Sequence, residues 1–238
     1  MQKPLRYVGI DLAWSMGKES AFCVLKPTVE GGLAIETLEM VDDGAIVKRL
    51  RLMSLYYQLY VGFDAPLRVP NATGNRDIER QFNRDFAPAK ISMLPVNRTL
   101  LYRQFGAIKG EILVSHLQEV GFAIGTTNAL NLFEVYPHAT IAVAFHNGGI
   151  LPYKRKKGRS VAAIRQALTR YQGYLREAIA PHAMLSIDTA TLKGQHLKAY
   201  EDSLDAVTCA YTAYFAHAYP ALSKHYGSSQ EGLFVTPF

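Results

Sequence analysis

The chain is poor in several things that would assign it to a specialised class. Among 238 residues there are two cysteines, Cys23 and Cys209, and one tryptophan, Trp14. The cysteines lie far apart in apolar stretches, so a disulfide-stapled secreted scaffold is excluded and a reduced, buried pair is expected. No apolar run approaches the roughly 20 residues needed to cross a bilayer. The opening MQKPLRYVGID shows no signal-peptide pattern, and a cytoplasmic protein without membrane association is expected. The seven histidines form no ligand spacing such as H-x-x-x-H, which argues against zinc. No Ser or Cys sits in a nucleophile elbow. Ser15-Met16-Gly17-Lys18 follows the first strand as a phosphate loop would, but lacks the full spacing. With no repeat, low-complexity tract or linker, a single domain over residues 1–238 is expected.

What is present reads as an α/β protein. Apolar residues make up 49% and charged residues 19%, as in ordinary globular chains. Residues 5–13, 20–26 and 33–40 are short and β-favouring, with Gly31-Gly32 as hairpin chemistry between the last two, which predicts an antiparallel meander. A helix over 44–54 and a buried strand over 57–64 follow. Pro66, Pro70, Pro88 and Pro95 make 66–100 look like an irregular insertion. Helical spacing predicts 102–120, 160–179 and 199–217, with a strand at 131–136 and the tail GLFVTPF as an edge strand. A meander followed by alternating helices and strands implies a mixed sheet with helices on both faces.

The net charge of +6 is compatible with a polyanionic partner. Arg76, Arg80, Arg84, Lys90, Arg98, Arg103 and Lys109 alternate with Phe82, Phe86, Tyr102 and Phe105. That pattern suits phosphate contacts with base stacking, or equally a solvated basic face with its rings turned into the core. A tighter run, Tyr153-Lys154-Arg155-Lys156-Lys157-Gly158-Arg159, reads as an anion-binding segment.

In such a sheet ligands gather at the carboxyl ends of the parallel strands. Asp11 ends the first strand and Asp64 the fourth, each preceded by glycine and one apolar residue. Glu134 falls near the same end of the fifth. Asp202 and Asp205, at i and i+3, share a helix face, although carboxylates in a first helical turn also answer the helix dipole. Several carboxylates at close range repel unless a divalent cation compensates them, and hard oxygen donors suit Mg²⁺ or Mn²⁺.

These residues, in this order, resemble the RNase H-like superfamily, with Asp11 in VGIDLAW, Asp64 in VGFDAPL and EDSLDAVTCAYTA on the last helix. Closer still, FDAPL, Asn75-Arg76-Asp77 with Arg80, EVYPHAT and YKRKKGR are similar to domain-of-unknown-function family 429, predicted nucleases of that fold. The resemblance implies Asp11, Asp64, Asp202 and Asp205 as metal ligands, the helix pair matching the terminal acidic pair of Holliday-junction resolvases. It implies Lys154 at the scissile phosphate. Arg76, Arg80, Arg155, Lys156, Lys157 and Arg159 are expected to hold nucleic acid, DNA or RNA. Glu134 stays open between an outer-shell role and pairing with Arg76 or Lys154, and Asp77 between a site and an ion pair. A divalent-metal-dependent nuclease is the leading reading. A phosphotransferase of the sugar-kinase and actin type and a non-catalytic metal- or nucleic-acid-binding module are the alternatives.

Overall fold

A computed structural model describes residues 3–238. The meander forms as expected from β1 (Leu5–Asp11), β2 (Ser20–Pro27) and β3 (Leu33–Val41), paired antiparallel in sequence order. Gly31 supplies the positive φ of the β2–β3 turn, and Thr28 Oγ1 accepts a hydrogen bond from the Gly32 amide at 3.0 Å. Helix α1 (Asp43–Tyr56), capped by Asp42, crosses to β4 (Gln58–Phe63), which lies parallel to β1. Two more strands, β6 (Leu130–Glu134) and β8 (Gly232–Pro237), continue the parallel set. The antiparallel β7 (Ser223–Ser228) closes that side, and the two-residue β5 (Ala123–Ile124) pairs with the start of β6. The sheet order is β3-β2-β1-β4-β6-β8-β7. An antiparallel meander extended by parallel strands is the RNase H-like arrangement that the resemblance implied.

One helix dominates the packing. Helix α7 (Gly194–Ala218) lies across β1, β2 and β4 with Leu204, Val207, Cys209, Ala210 and Ala213 buried. It can lie that close because Gly9 and Gly62, direct partners across β1 and β4, carry no side chain. A Cβ on Gly9 would sit 2.0 Å from the Ala206 carbonyl oxygen and 2.2 Å from the Ala210 nitrogen. A Cβ on Gly62 would sit 2.9 Å from the Cys209 carbonyl oxygen. Cys23 and Cys209 are buried and unbonded.

Several expectations are corrected. The predicted helix over 102–120 is two: α3 (Arg98–Phe105) ends at Gly106, at φ 74°, and α4 (Lys109–Gln118) starts afresh. The restart seats Gly110 against the Pro66 carbonyl oxygen, 2.1 Å from where a Cβ would be. Residues 66–100 are not irregular throughout, since they hold α2 (Asp77–Asp85) and the first turn of α3. The tail is an interior strand, buried along its length, with the polar SKHYGS of β7 outside it. Helix α5 (Pro137–Ala144), starting at a proline, follows β6, and α6 (Val161–Ala178) matches the periodicity. Of the rings in the basic stretch, Phe82 and Phe86 stack in a small core with Ile78, Tyr226 and Phe234, so they are closed to bases. No described helix is long and apolar enough to cross a membrane.

Because backbone atoms meet the missing Cβ, no rotamer change can relieve an alanine at Gly9. Gly9→Ala is expected to cost about 3 kcal/mol or more, read as a fall in Tm of roughly 6–12 °C for a chain of this size.

Candidate metal centre

The seat of α7 on the two glycines decides which carboxylates meet. Asp11 closes β1, and Asp64 directly follows β4, its amide donating to the Ile10 carbonyl at 2.9 Å. Asp205 precedes Ala206, the residue whose carbonyl abuts Gly9, so its side chain drops to the same end of the sheet and is fully buried. Lys154, from the loop before α6, brings Nζ to 2.7 Å from Asp205 Oδ2 and 3.8 Å from Asp64 Oδ2. Asp202 and Asp205 lie in the third and fourth turns of α7, which begins at Gly194, so the helix-dipole reading of that pair falls away.

The electrostatics are those of crowded anions under one cation. Burial raises the Asp11 carboxyl well above the usual range, with repulsion from Asp205 and Asp64 adding to it and Lys154 opposing. Burial also lifts Asp64 to about 6, against the pull of Lys154. Burial alone would discharge Lys154, but Asp205, Asp64 and Asp11 hold its ammonium firmly protonated.

Asp205 is held by hydroxyls on one oxygen and by an ammonium on the other. Its Oδ1 accepts from the Tyr153 hydroxyl at 2.7 Å and from the Tyr171 hydroxyl at 3.1 Å. Burial and the Asp205 charge raise both phenols far above their ordinary value, so both keep their protons. Having donated to Asp205, the Tyr153 oxygen accepts from His138 Nδ1 at 2.9 Å. Burial holds His138 down to about 4, so at neutral pH its ring is uncharged with the proton on Nδ1. Asp205 Oδ2 is buried and takes no directed hydrogen bond, touching only the Lys154 ammonium. Tyr153 and Tyr171 are the residues that sequence reasoning passed over. Tyr153 stood beside Lys154 in the basic run, and Tyr171 sat on the apolar stripe of α6 as an ordinary core ring.

Asp202 lies at the rim, held by Lys198 Nζ at 2.5 Å, and Glu201 takes the same ammonium at 2.9 Å. Asp11, Asp64, Lys154 and Asp202 open onto a cleft of about 430 Å³. Its apolar walls come from Leu12 and Trp14 after β1, from Met93, Leu94 and Val96 of the 66–100 segment, and from Phe234.

Glu134 stands apart from this cluster. Its carboxylate takes Arg76 Nη1 at 2.9 Å, Arg76 Nη2 at 2.7 Å and the Leu67 amide at 2.8 Å. Arg76 also binds Glu79 at 2.7 Å and the Arg68 carbonyl at 2.7 Å. The expectation that Arg76 meets a substrate phosphate is therefore corrected: its guanidinium is buried and fully engaged. Burial alone would lower its pKa, but Glu134 and Glu79 hold it above the ordinary value. The pairing of Glu134 with Arg76, left open by the sequence, fastens the segment after Asp64 to the end of β6. Arg80 is exposed and paired with Asp77, an ion pair at the surface of α2. Arg155, Lys156 and Lys157 are exposed, while Arg159 is half-buried and donates to the Lys154 carbonyl.

The donor set suits a hard cation. Asp11, Asp64 and Asp205 bring carboxylate oxygens to one end of the sheet, burial resists the ionisation of Asp11 and Asp64, and a single ammonium, Lys154, answers Asp64 and Asp205. Among the described residues no three acidic, histidine or cysteine side chains already close as a coordination shell. The ammonium of Lys154 stands between Asp64 and Asp205 instead.

Residues 9–224 match the family described as Protein of unknown function (DUF429). The chain belongs to this family. No curated protein sequence matches it. Among solved structures, the DUF429 chain is similar to Thermus thermophilus RuvC in complex with a Holliday junction substrate. That likeness has a TM-score of 0.40 and 11% identity, over 90% of this chain and 97% of that one. A second Thermus thermophilus RuvC structure aligns with the same TM-score and coverage at 10% identity.

Two outcomes follow for the metal-free protein. The raised pKa of Asp64 means the fold binds more protons than the unfolded chain between about pH 4 and 6. That contribution is full below pH 4 and lost as pH rises through 6. Lys154→Met, which removes the opposing cation, is expected to cost about 3 kcal/mol at pH 8 and less at pH 5, read by thermal melts in EDTA. Arg76→Met leaves Glu79 and Glu134 buried without a cation and is expected to lower stability by about 3–5 kcal/mol in urea titrations.

Proposed function

We propose that this DUF429 protein is a divalent-metal-dependent nuclease whose Mg²⁺ or Mn²⁺ is held by Asp11, Asp64 and Asp205, with Asp202 at the rim. The observation that carries the reading is the buried carboxylate of Asp205, its Oδ2 answered by the Lys154 ammonium, together with the carboxylates of Asp11 and Asp64 at the ends of adjacent parallel strands. When bound, such a cation polarises a phosphoryl oxygen and makes water a competent nucleophile at neutral pH.

The chain's own residues supply the rest. Tyr153 and Tyr171 fix Asp205 through Oδ1, so that Oδ2 would be the oxygen to hold the cation. Lys154, at 2.7 Å from that oxygen, is within reach of a phosphate drawn to the same place and offsets its charge. Arg155, Lys156 and Lys157, exposed on the same loop, take neighbouring phosphates, with Arg159 bracing Lys154 through its carbonyl. Glu134 acts through Arg76 and the Leu67 amide, holding the segment that follows Asp64.

Calorimetry with Mn²⁺ and Mg²⁺, followed by incubation with single-stranded, duplex and branched DNA and RNA, tests the reading. Metal-dependent cleavage is expected, falling at least 100-fold in Asp11→Asn and in Asp205→Asn. ATP turnover without cleavage would move the site to phosphotransfer, and metal binding with neither activity would make it a binding module. No binding of either ion, even with nucleic acid present, would sink the shared-metal idea.

A further inference from the structure

The cleft beside the carboxylates has a chemistry that the phosphate-handling groups do not use. Trp14 is its main ring, and its position is fixed rather than incidental. The indole N–H donates to the Asp64 carbonyl at 3.4 Å, and Phe105 meets the ring edge-on at 5.6 Å between centroids. The side chain nevertheless stays 36% exposed, towards the space that Asp11 and Asp64 share. Leu94, 81% exposed, and Met93 line the same cleft from the 66–100 segment. That segment is anchored at Met93, whose amide and carbonyl bind the Asn83 side chain at 2.7 and 3.1 Å. A large aromatic and two apolar side chains are thus held in place around a space that none of them fills.

Charge says what fits there. Apart from Lys154, Lys198 and the buried Arg76, the charged groups lining the cleft are acidic: Asp11, Glu19, Asp64 and Asp202, with Glu79 and Glu134 paired to Arg76. Beyond the one phosphate that a cation at Asp11 and Asp64 would draw in, a phosphate backbone laid inside would meet those carboxylates, whereas the exposed Arg155, Lys156 and Lys157 lie on the neighbouring loop. Size agrees. About 430 Å³ is at the small end of ligand clefts and holds roughly one nucleotide unit, far short of a duplex. The uncharged, flat part of a nucleic acid suits the apolar cleft, and its phosphates suit the rim.

We propose that this cleft takes one unpaired nucleobase, stacked on Trp14 and covered by Leu94, so that the preferred partner is nucleic acid with an unstacked nucleotide rather than intact duplex. This rests on the nuclease reading for what lies next to the base. The selectivity has a direct physical source. A base already free of its partner enters without the cost of breaking a pair, and stacking on an aromatic ring tolerates any base.

Trp14 is the chain's single tryptophan and lines this cleft, so its fluorescence responds to what binds there. The probes are a ten-nucleotide DNA strand and the blunt duplex of the same sequence, titrated in EDTA and again with Mn²⁺. The single strand is expected to quench Trp14 at a concentration at least tenfold below that needed by the duplex. By anisotropy of the fluorescein-labelled strand, Trp14→Ala and Leu94→Asp are each expected to weaken binding about tenfold, with Trp14→Phe close to the native chain. Retention in Trp14→Phe separates loss of stacking from loss of fold. Quenching by the strand with loss in Trp14→Ala supports the slot whether or not cleavage follows. Equal quenching by strand and duplex, or a Trp14→Ala chain that binds the strand as tightly as the native one, overturns it. Metal-dependent cleavage surviving in that variant would leave the nuclease reading standing.

Discussion

Everything at the acidic centre depends on a backbone-to-backbone contact. Gly9 and Gly62 face each other across β1 and β4, and α7 rests on them with main-chain atoms where side chains would otherwise stand. This is packing with no adjustable part. A side chain at such a contact can turn aside, but a carbonyl oxygen in a helix cannot. The depth at which α7 sits therefore sets where Asp205 arrives relative to Asp11 and Asp64. The glycine in each V-G-apolar-D sequence and the aspartate two residues later belong to one arrangement.

Two buried ionic groups flank the cleft, and they differ in completeness. Around Arg76, each of its three guanidinium nitrogens has a carboxylate or carbonyl partner, and the result fastens one chain segment to another. Around Lys154, one ammonium serves two carboxylates, Asp64 and Asp205, with the charge of Asp11 also acting on it. A buried network that closes on itself lends rigidity, whereas the Lys154 group leaves its carboxylates short of positive charge. The contrast separates Glu134 from the candidate ligands, although all of these carboxylates sit near the same end of the sheet.

Much of this was legible from local pattern. The meander, β4, β6 and the amphipathic α6 follow from alternation and helical spacing, and Asp11 and Asp64 followed from being strand-ending carboxylates in a parallel arrangement. What stayed hidden is long-range. Helix α3 breaks from α4 because Gly110 must reach Pro66, a contact with no trace in the window 102–120. The polar β7 is a strand because β8 pairs with it, not because SKHYGS favours one. Arg76 looked like a phosphate ligand because its sequence neighbours are basic, while its spatial neighbours, Glu79 and Glu134, are acidic. Tyr153 and Tyr171 were invisible as site residues because a tyrosine that orients a carboxylate reads the same as one that fills a core.

The seat of α7 also fixes when the centre can exist. Asp11 and Asp64 are joined by local steps, a hairpin, one helix and a parallel strand, whereas Asp205 is 141 residues further along than Asp64. Until α7 docks, the two strand aspartates stand at an uncovered sheet face with neither Asp205 nor a positioned Lys154 beside them. The acidic cluster therefore depends on the last long helix, and a chain stopped before it would have Asp11 and Asp64 without Asp205.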